Sequence, residues 1–292
     1  MHVAATGATL ILELLVFGCS SAQAQSNLST SPSQLVREVV YNELHDHANH
    51  GYWRYLVEKQ SQQETRLEEQ IETIDGTVAL LVSRDGHALS SEGQQSEQER
   101  LDRLLASPME RARLRQEHQD DEKRIGRILA LLPDAFLYEY EGEQNHCHHL
   151  IFRPNPDYPA HSIESRIFHA MSGELWIDAR MKHLVRLDGE LHGNVDFGYG
   201  ILGRLYKGGW FRLQRVQVSP TDWKTERLEV HMNGHAMLFK TIAREASEVR
   251  GGFSPVPAAM NIEKGVDLLR TQNVAGIQRR QLDASVILAA HP

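Results

Sequence analysis

The sequence predicts an α+β fold: a curved antiparallel sheet with helices covering its concave face. Between Phe136 and Ile242, apolar and polar residues alternate in run after run. Such alternation gives each strand a dry face and a wet face. The runs follow one another through short turns, which join antiparallel strands but not parallel ones. Helical segments with start signals precede and interrupt the strands, the order expected of an α+β domain. A row of half-dry strands makes one apolar surface, and helices on either side of the early strands are candidates to cover it.

Taken in order, Leu10 to Gly18 is apolar and Ala22-Gln23-Ala24 matches an A-x-A cleavage site, so residues 1–24 read as an export signal. Its first segment lacks Lys and Arg, and Glu13 interrupts the apolar run, which is too short to span a bilayer. Cys19, preceded by Phe17-Gly18, gives a second reading, a lipoprotein signal in which that cysteine is acylated. Either way the expected location is the periplasm or outer envelope, with no transmembrane span in the mature chain. Either processing also leaves Cys147 without a disulfide partner, so packing must hold the fold.

Residues 25–31 form a polar linker. Ser31, Pro32 and Gln34 then supply an N-cap, a first-turn proline and a capping box. Leu35, Val36, Val39, Val40 and Leu44 follow at helical spacing up to Gly51. Tyr52–Lys59, Thr65–Thr73 and Thr77–Ser83 read as strands, the last two joined through Asp75-Gly76. Residues 94–132 form a charged helical insert in which Ser107-Pro108 starts a second helix, stopped by Pro133. Strands follow at Phe136–Glu141, His148–Arg153, Ser165–Met171, Gly173–Asp178, His183–Leu191 and Val195–Phe197. In the fifth, Val185, Leu187 and Leu191 face one way while Arg186, Asp188 and Glu190 face the other. Further strands are expected at Trp210–Val218, Lys224–Met232 and Ala236–Ile242, then a helix at Asn261–Thr271 within a C-terminal helix and tail, 256–292.

The chain has 292 residues, 41% hydrophobic and 24% charged, enough to bury a real core. A formal net charge of −8 with scattered bases argues against a nucleic-acid partner. Gly198 to Gly203 matches G-x-G-x-x-G, but Gly208-Gly209 would end any helix opening there, so the glycines read as a hairpin or bend and no nucleotide cofactor is expected. In two histidine clusters, His45/His47/His50 and His146/His148/His149 around Cys147, only pairs can share a face, His47 with His50 on a helix and His146 with His148 or Cys147 with His149 on a strand, whereas zinc needs three or four ligands. In a strand, His146 and His148 would share one face. No serine-nucleophile elbow is present. The aromatics Trp53, Tyr55, Phe136, Tyr138, Trp176, Phe197, Trp210, Phe211 and Phe239 belong either to an ordinary core or to the lining of a cavity for acyl chains.

The stretch Gly173–Asp178 followed by His183–Glu190 resembles the LolA/LolB-like group of bacterial envelope proteins, as does the order of export signal, amphipathic helix and helix-interrupted strands. Phe152–Pro156 and Asp196–Gly203 are further marks, similar to an uncharacterised envelope family. The resemblance spans residues 32–255. It implies an incomplete antiparallel β-barrel whose open side is capped by helices around an apolar cavity. It also implies a non-enzymatic protein whose partner is a lipid or acylated lipoprotein, or another envelope protein. The insert 94–132 is longer than that pattern requires, and no residue matches a lipoprotein-handling position. The alternatives are an interaction module with a filled interior, and a metal-dependent hydrolase using the histidine clusters.

Overall fold

A computed structural model of the chain describes residues 30–45, 51–197, 203–236, 244–258 and 260–271. Helix α1 (Pro32–His45) is followed by strands β1 (Tyr52–Ser61), β2 (Thr65–Thr73), β3 (Gly76–Arg84) and β4 (His87–Ala88). Helices α2 (Ser91–Ala106) and α3 (Pro108–Ala135) lead to β5 (Phe136–Gln144) and β6 (Cys147–Pro154). Then come α4 (Ile163–His169), β7 (Met171–Asp178), β8 (Leu184–Leu191), β9 (Val195–Phe197) and β10 (Gly203–Leu205). The described part ends with β11 (Trp210–Gln217), β12 (Trp223–Met232), β13 (Gly234–Ala236), β14 (Arg244–Val256) and α5 (Ile262–Arg270).

Eleven strands form one curved sheet in the order β4-β3-β2-β1-β14-β12-β11-β8-β7-β6-β5, all of its pairs antiparallel. The sheet does not close, because β4 and β5 stand at opposite ends. With the five helices of the described residues this is an α+β fold. β14 joins the two halves by pairing with both β1 and β12. Strands β13, β10 and β9 form a separate small sheet, also antiparallel.

The helices begin where the caps dictate. Ser107 accepts from the Glu110 amide, satisfying one of the donors that every helix start leaves open. Pro133 does not stop α3, which continues to Ala135. A proline in the last turn loses one backbone hydrogen bond, and α3 is tied down there by other contacts: Tyr138 Oη donates to the Leu132 carbonyl at 2.7 Å. The expected strand Ser165–Met171 is instead the helix α4 through His169. Ser162 and Ser165 form a reciprocal capping box, which satisfies the local backbone without a partner strand.

Three apolar clusters are found among the described residues, two of them large. In one, Leu35, Val36, Val39 and Val40 of α1 pack with Phe136, Leu150, Phe152, Leu175 and Leu191, with the end of α3 alongside. In the other, Ile262, Val266 and Leu269 of α5 pack with Ile71 and Val78 and with Leu101 of α2. The β1–β2 region is also partly polar inside: Arg54 donates to Glu69, both almost fully buried. A buried ion pair of this kind does not by itself stabilise, but breaking it leaves an uncompensated charge.

Candidate functional site

Two cross-strand rows supply the sheet side of a cavity that α1 and α3 also line; Leu150 continues the first row beyond the lining. Leu150, Leu175, Leu187 and Leu213 pair successively across β6, β7, β8 and β11. Beside them runs Tyr138, Phe152, Gly173, Gly189 and Phe211. The two glycines are facing partners, and their missing side chains make room for the flanking rings. A Cβ on Gly173 would lie 2.9 Å from Phe152 Cζ, and one on Gly189 would lie 2.4 Å from Phe211 Cε1. Glycine inside a strand commonly marks such a close approach.

A bulge adds to this floor. Trp176 pairs with Arg186, whereas Ile177 pairs with Leu184, so the extra residue Val185 shifts the alternation. Leu184 and Leu187 therefore both line the cavity, a correction to the simple alternation expected for Val185 and Leu187.

The cavity has a volume of about 330 Å³. Val36 and Val39 of α1, Ile128, Leu129 and Leu132 of α3, and Phe168 of α4 line it opposite the sheet residues. The size lies at the lower end of small-molecule sites. Glu43 is the one charged side chain in the lining. It follows Val36 and Val39 on the same helix face, since positions three and four apart are neighbours.

Glu43 is held by a polar cluster at the cavity margin. Its Oε1 meets His183 Nδ1 at 3.3 Å, accepts from the Leu184 amide at 3.4 Å and pairs with the Arg215 guanidinium. Burial pushes the Glu43 carboxyl up, but the His183 hydrogen bond and the Arg215 charge outweigh it and hold the pKa at about 2. Arg215 also donates to the Trp223 carbonyl at 2.9 Å, and the His183 and Trp223 rings stack 5.5 Å apart. Asn42 donates to the Met181 and Lys182 carbonyls, fixing the end of α1 to the β7–β8 turn.

Of the aromatics singled out in the sequence, Phe136, Tyr138 and Phe211 line this cavity. Trp53 and Tyr55 do not: they form a separate buried cluster with Val57, Val218 and Phe253. Trp176 lies between its cross-strand neighbours His149 and Arg186, with the His149 ring 4.5 Å from its own and the Arg186 guanidinium carbon 4.7 Å from its centroid. Trp210 stacks on His231 and carries Arg212 over its ring. Phe239, the Phe197 side chain, Cys19 and residues 237–242 of the strand expected at Ala236–Ile242 lie outside the described residues.

The histidine clusters do not converge. His146 sits in the β5–β6 turn with φ 61°, so it does not share a strand face with the buried His148. His148 Nε2 lies 2.9 Å from Lys182 Nζ, while His149 meets Glu174 at 3.0 Å. His45 bonds the Tyr41 carbonyl, and His47 and His50 lie outside the described residues. Among the described residues, no group of three or more His, Cys, Asp or Glu could hold a metal ion. Burial, with Asp178 and Glu143 nearby, pushes the Cys147 thiol up, the opposite of what activates a nucleophile. Phe197 and Gly203 pair antiparallel across the glycine motif, the arrangement of a hairpin and not of a strand–helix dinucleotide turn, while residues 198–202 lie outside the description.

Fold and cavity together define an unclosed antiparallel-sheet protein with an internal apolar site. No family model matches the chain, and no curated protein matches it in sequence. Among solved structures, a DUF1329 family protein from Desulfovibrio piger is similar at a TM-score of 0.29 and 9% identity, over 82% of this chain and all of that one. No helix among the described residues is long and apolar enough to cross a membrane.

Proposed function

We propose that the protein is a non-enzymatic envelope protein that holds a lipid or acyl chain in the cavity beneath α1 and α3, the helices capping the concave face of an incomplete barrel. The observation that carries this reading is the contrast in the lining: a continuous apolar wall from five strands and three helices, with Glu43 as its one charged group. Apolar cavities of this size are left unfilled at a cost in stability, because their walls lose packing partners. A chain entering the cavity restores those contacts. A binding role is favoured over a catalytic one because Glu43 is engaged by Arg215 and His183 and held far below the range of a general base working near neutrality. The open volume also favours a ligand over an interaction module with a filled interior.

The test is displacement of a fluorescent alkyl probe, beside native mass spectrometry of protein taken from its own cell envelope. Leu129 lines the cavity from α3 and is only half-buried, so Leu129→Trp should fill part of the space without unfolding the protein. Loss of about three methylene equivalents of burial predicts at least a roughly tenfold weaker probe affinity. A variant with wild-type thermal stability and unchanged probe binding would rule the cavity out as the site.

A further inference from the structure

We propose that a second pocket, between α4 and the β8–β9 connection, binds a phosphate-type oxyanion through Arg166, His192 and Asn194. This pocket shares no lining residue with the apolar cavity, and its occupancy does not depend on chain binding there.

The segment around the end of α4 divides the two spaces. Phe168 and Met171 line the apolar cavity, whereas Arg166, His169 and Ala170 line the second pocket. Arg166 and His169 stand three residues apart and so share one face of α4. The reciprocal capping box and the buried Phe168 hold that helix in place. The opposite wall is fixed as well. The His192 amide donates to the Ala170 carbonyl at 2.8 Å, the Lys207 amide donates to Asn194 Oδ1 at 2.8 Å, and Val195 is buried in the core. Two walls already in place leave little ordering cost for a ligand to bear.

Hydrogen bonds made within the protein decide what the pocket still offers. His169 Nε2 donates to the Tyr158 carbonyl at 2.5 Å, which fixes that ring. Asn194 uses its oxygen on the Lys207 amide and keeps its Nδ2 hydrogens. Asp196 is the one carboxylate in the lining, and Arg204 engages both of its oxygens. Among the described residues the Arg166 and His192 side chains have no hydrogen-bond or ion-pair partner, although Arg37, Arg153 and Arg186 each pair with a carboxylate. The remaining capacity is therefore that of donors: a guanidinium, an imidazole N–H and an amide. In a chain of formal net charge −8, an unpaired guanidinium in a concave site makes a local exception that favours an anion. Phosphate fits this set best. The planar guanidinium takes two of its oxygens, and the others can accept from the facing wall. The two oxygens of a carboxylate would be used up by Arg166 alone.

The experiment titrates the full chain with inorganic phosphate by calorimetry at constant ionic strength. Beside it, the protein is sedimented with phosphatidylcholine vesicles prepared with and without phosphatidic acid. Saturable binding is expected in at least one arm, and Arg166→Gln should weaken it about tenfold or more, with a smaller loss for His192→Gln. Both side chains are exposed, so the variants should keep the wild-type melting temperature. Arg37→Gln, an exposed arginine paired with Asp134 outside this pocket, is the control and should bind as the wild type does. Saturation by inorganic phosphate alone identifies a free phosphate as the source. Sedimentation that requires both phosphatidic acid and Arg166 identifies a lipid headgroup. Binding in neither arm overturns the proposal, as does an Arg166→Gln variant indistinguishable from Arg37→Gln. Acetate binding as tightly as phosphate overturns the phosphate class. Displacement of the alkyl probe reads the other cavity, so its failure leaves these results standing.

Discussion

Gly173→Ala is expected to destabilise the protein by about 3 kcal/mol or more, the upper range for overpacking in a core. A methyl group there would sit 1.9 Å from the Asp188 carbonyl oxygen and 2.9 Å from Phe152 Cζ. The ring could rotate, but the carbonyl belongs to β8, which pairs with β7 at this point. Relief therefore requires opening the ladder. For a chain of this size, the loss corresponds to a melting temperature lower by roughly 10 °C. Gly193→Ala is the control, since its nearest neighbour would lie 3.9 Å away, and it should change stability by less than about 0.5 kcal/mol. Gly189→Ala separates the two ends of this row. Its closest obstacle is the Phe211 ring, a side chain that can swing into the cavity, so it should cost less stability than Gly173→Ala and reduce probe binding more. Equal melting temperatures for Gly173→Ala and Gly193→Ala would remove the glycine row as the device that shapes the cavity floor.

Arg215→Met is expected to cost about 3 kcal/mol at neutral pH, because it leaves the Glu43 carboxylate buried without its cation. The pH dependence distinguishes this cause from simple loss of packing. In the wild type the Glu43 pKa is lowered from 4.5 to about 2, so its stabilising contribution is complete above the unfolded value and is lost as pH falls through about 2. That shift corresponds to about 3 kcal/mol. Without Arg215, only His183 and the Leu184 amide oppose the effect of burial, so the carboxyl moves up from its wild-type value and is protonated at a higher pH, which removes the unpaired charge. The deficit of the variant should therefore shrink between about pH 7 and pH 4, measured by denaturant unfolding at each. The same deficit at both values would mean that Arg215 acts by packing alone.

Lys224–Met232 was legible because its residues alternate, and the observed strand matches it within a residue. Tyr52–Lys59 and Thr65–Thr73 were also placed to within two residues, although the middle of each is buried on both faces. The insert 94–132 was legible as two helices because Ser107 and Pro108 mark the junction. β14 was not legible. Its residues, with charges, Gly251-Gly252 and Pro255, have little strand preference, and it forms because β1 and β12 offer an edge on either side. α4 was misread for the opposite reason: local capping between Ser162 and Ser165 prevailed over a short apolar run that fits either period.

The cavity divides in the same way. Phe136 and Tyr138 could be placed on one face by spacing alone, and both line it. Trp53 and Tyr55 share a face just as clearly, yet that face belongs to another cluster. Gly173 and Gly189 carried a signal as glycines inside strand patterns, though only the register makes them partners. Glu43 gave none, standing in a helix with other polar residues until Arg215 and His183, far along the chain, close around it.

By itself the sequence determined the class of the fold, the antiparallel character of the sheet and the starts of α1 and α3. Those follow from periodicity and from hydrogen bonds between residues a few places apart. Tertiary structure alone decided which dry faces meet, where the sheet stops, and that Glu43 stands at the margin of an apolar cavity, paired with Arg215. Those depend on pairings between distant segments, whose energies exist only once both partners are in place.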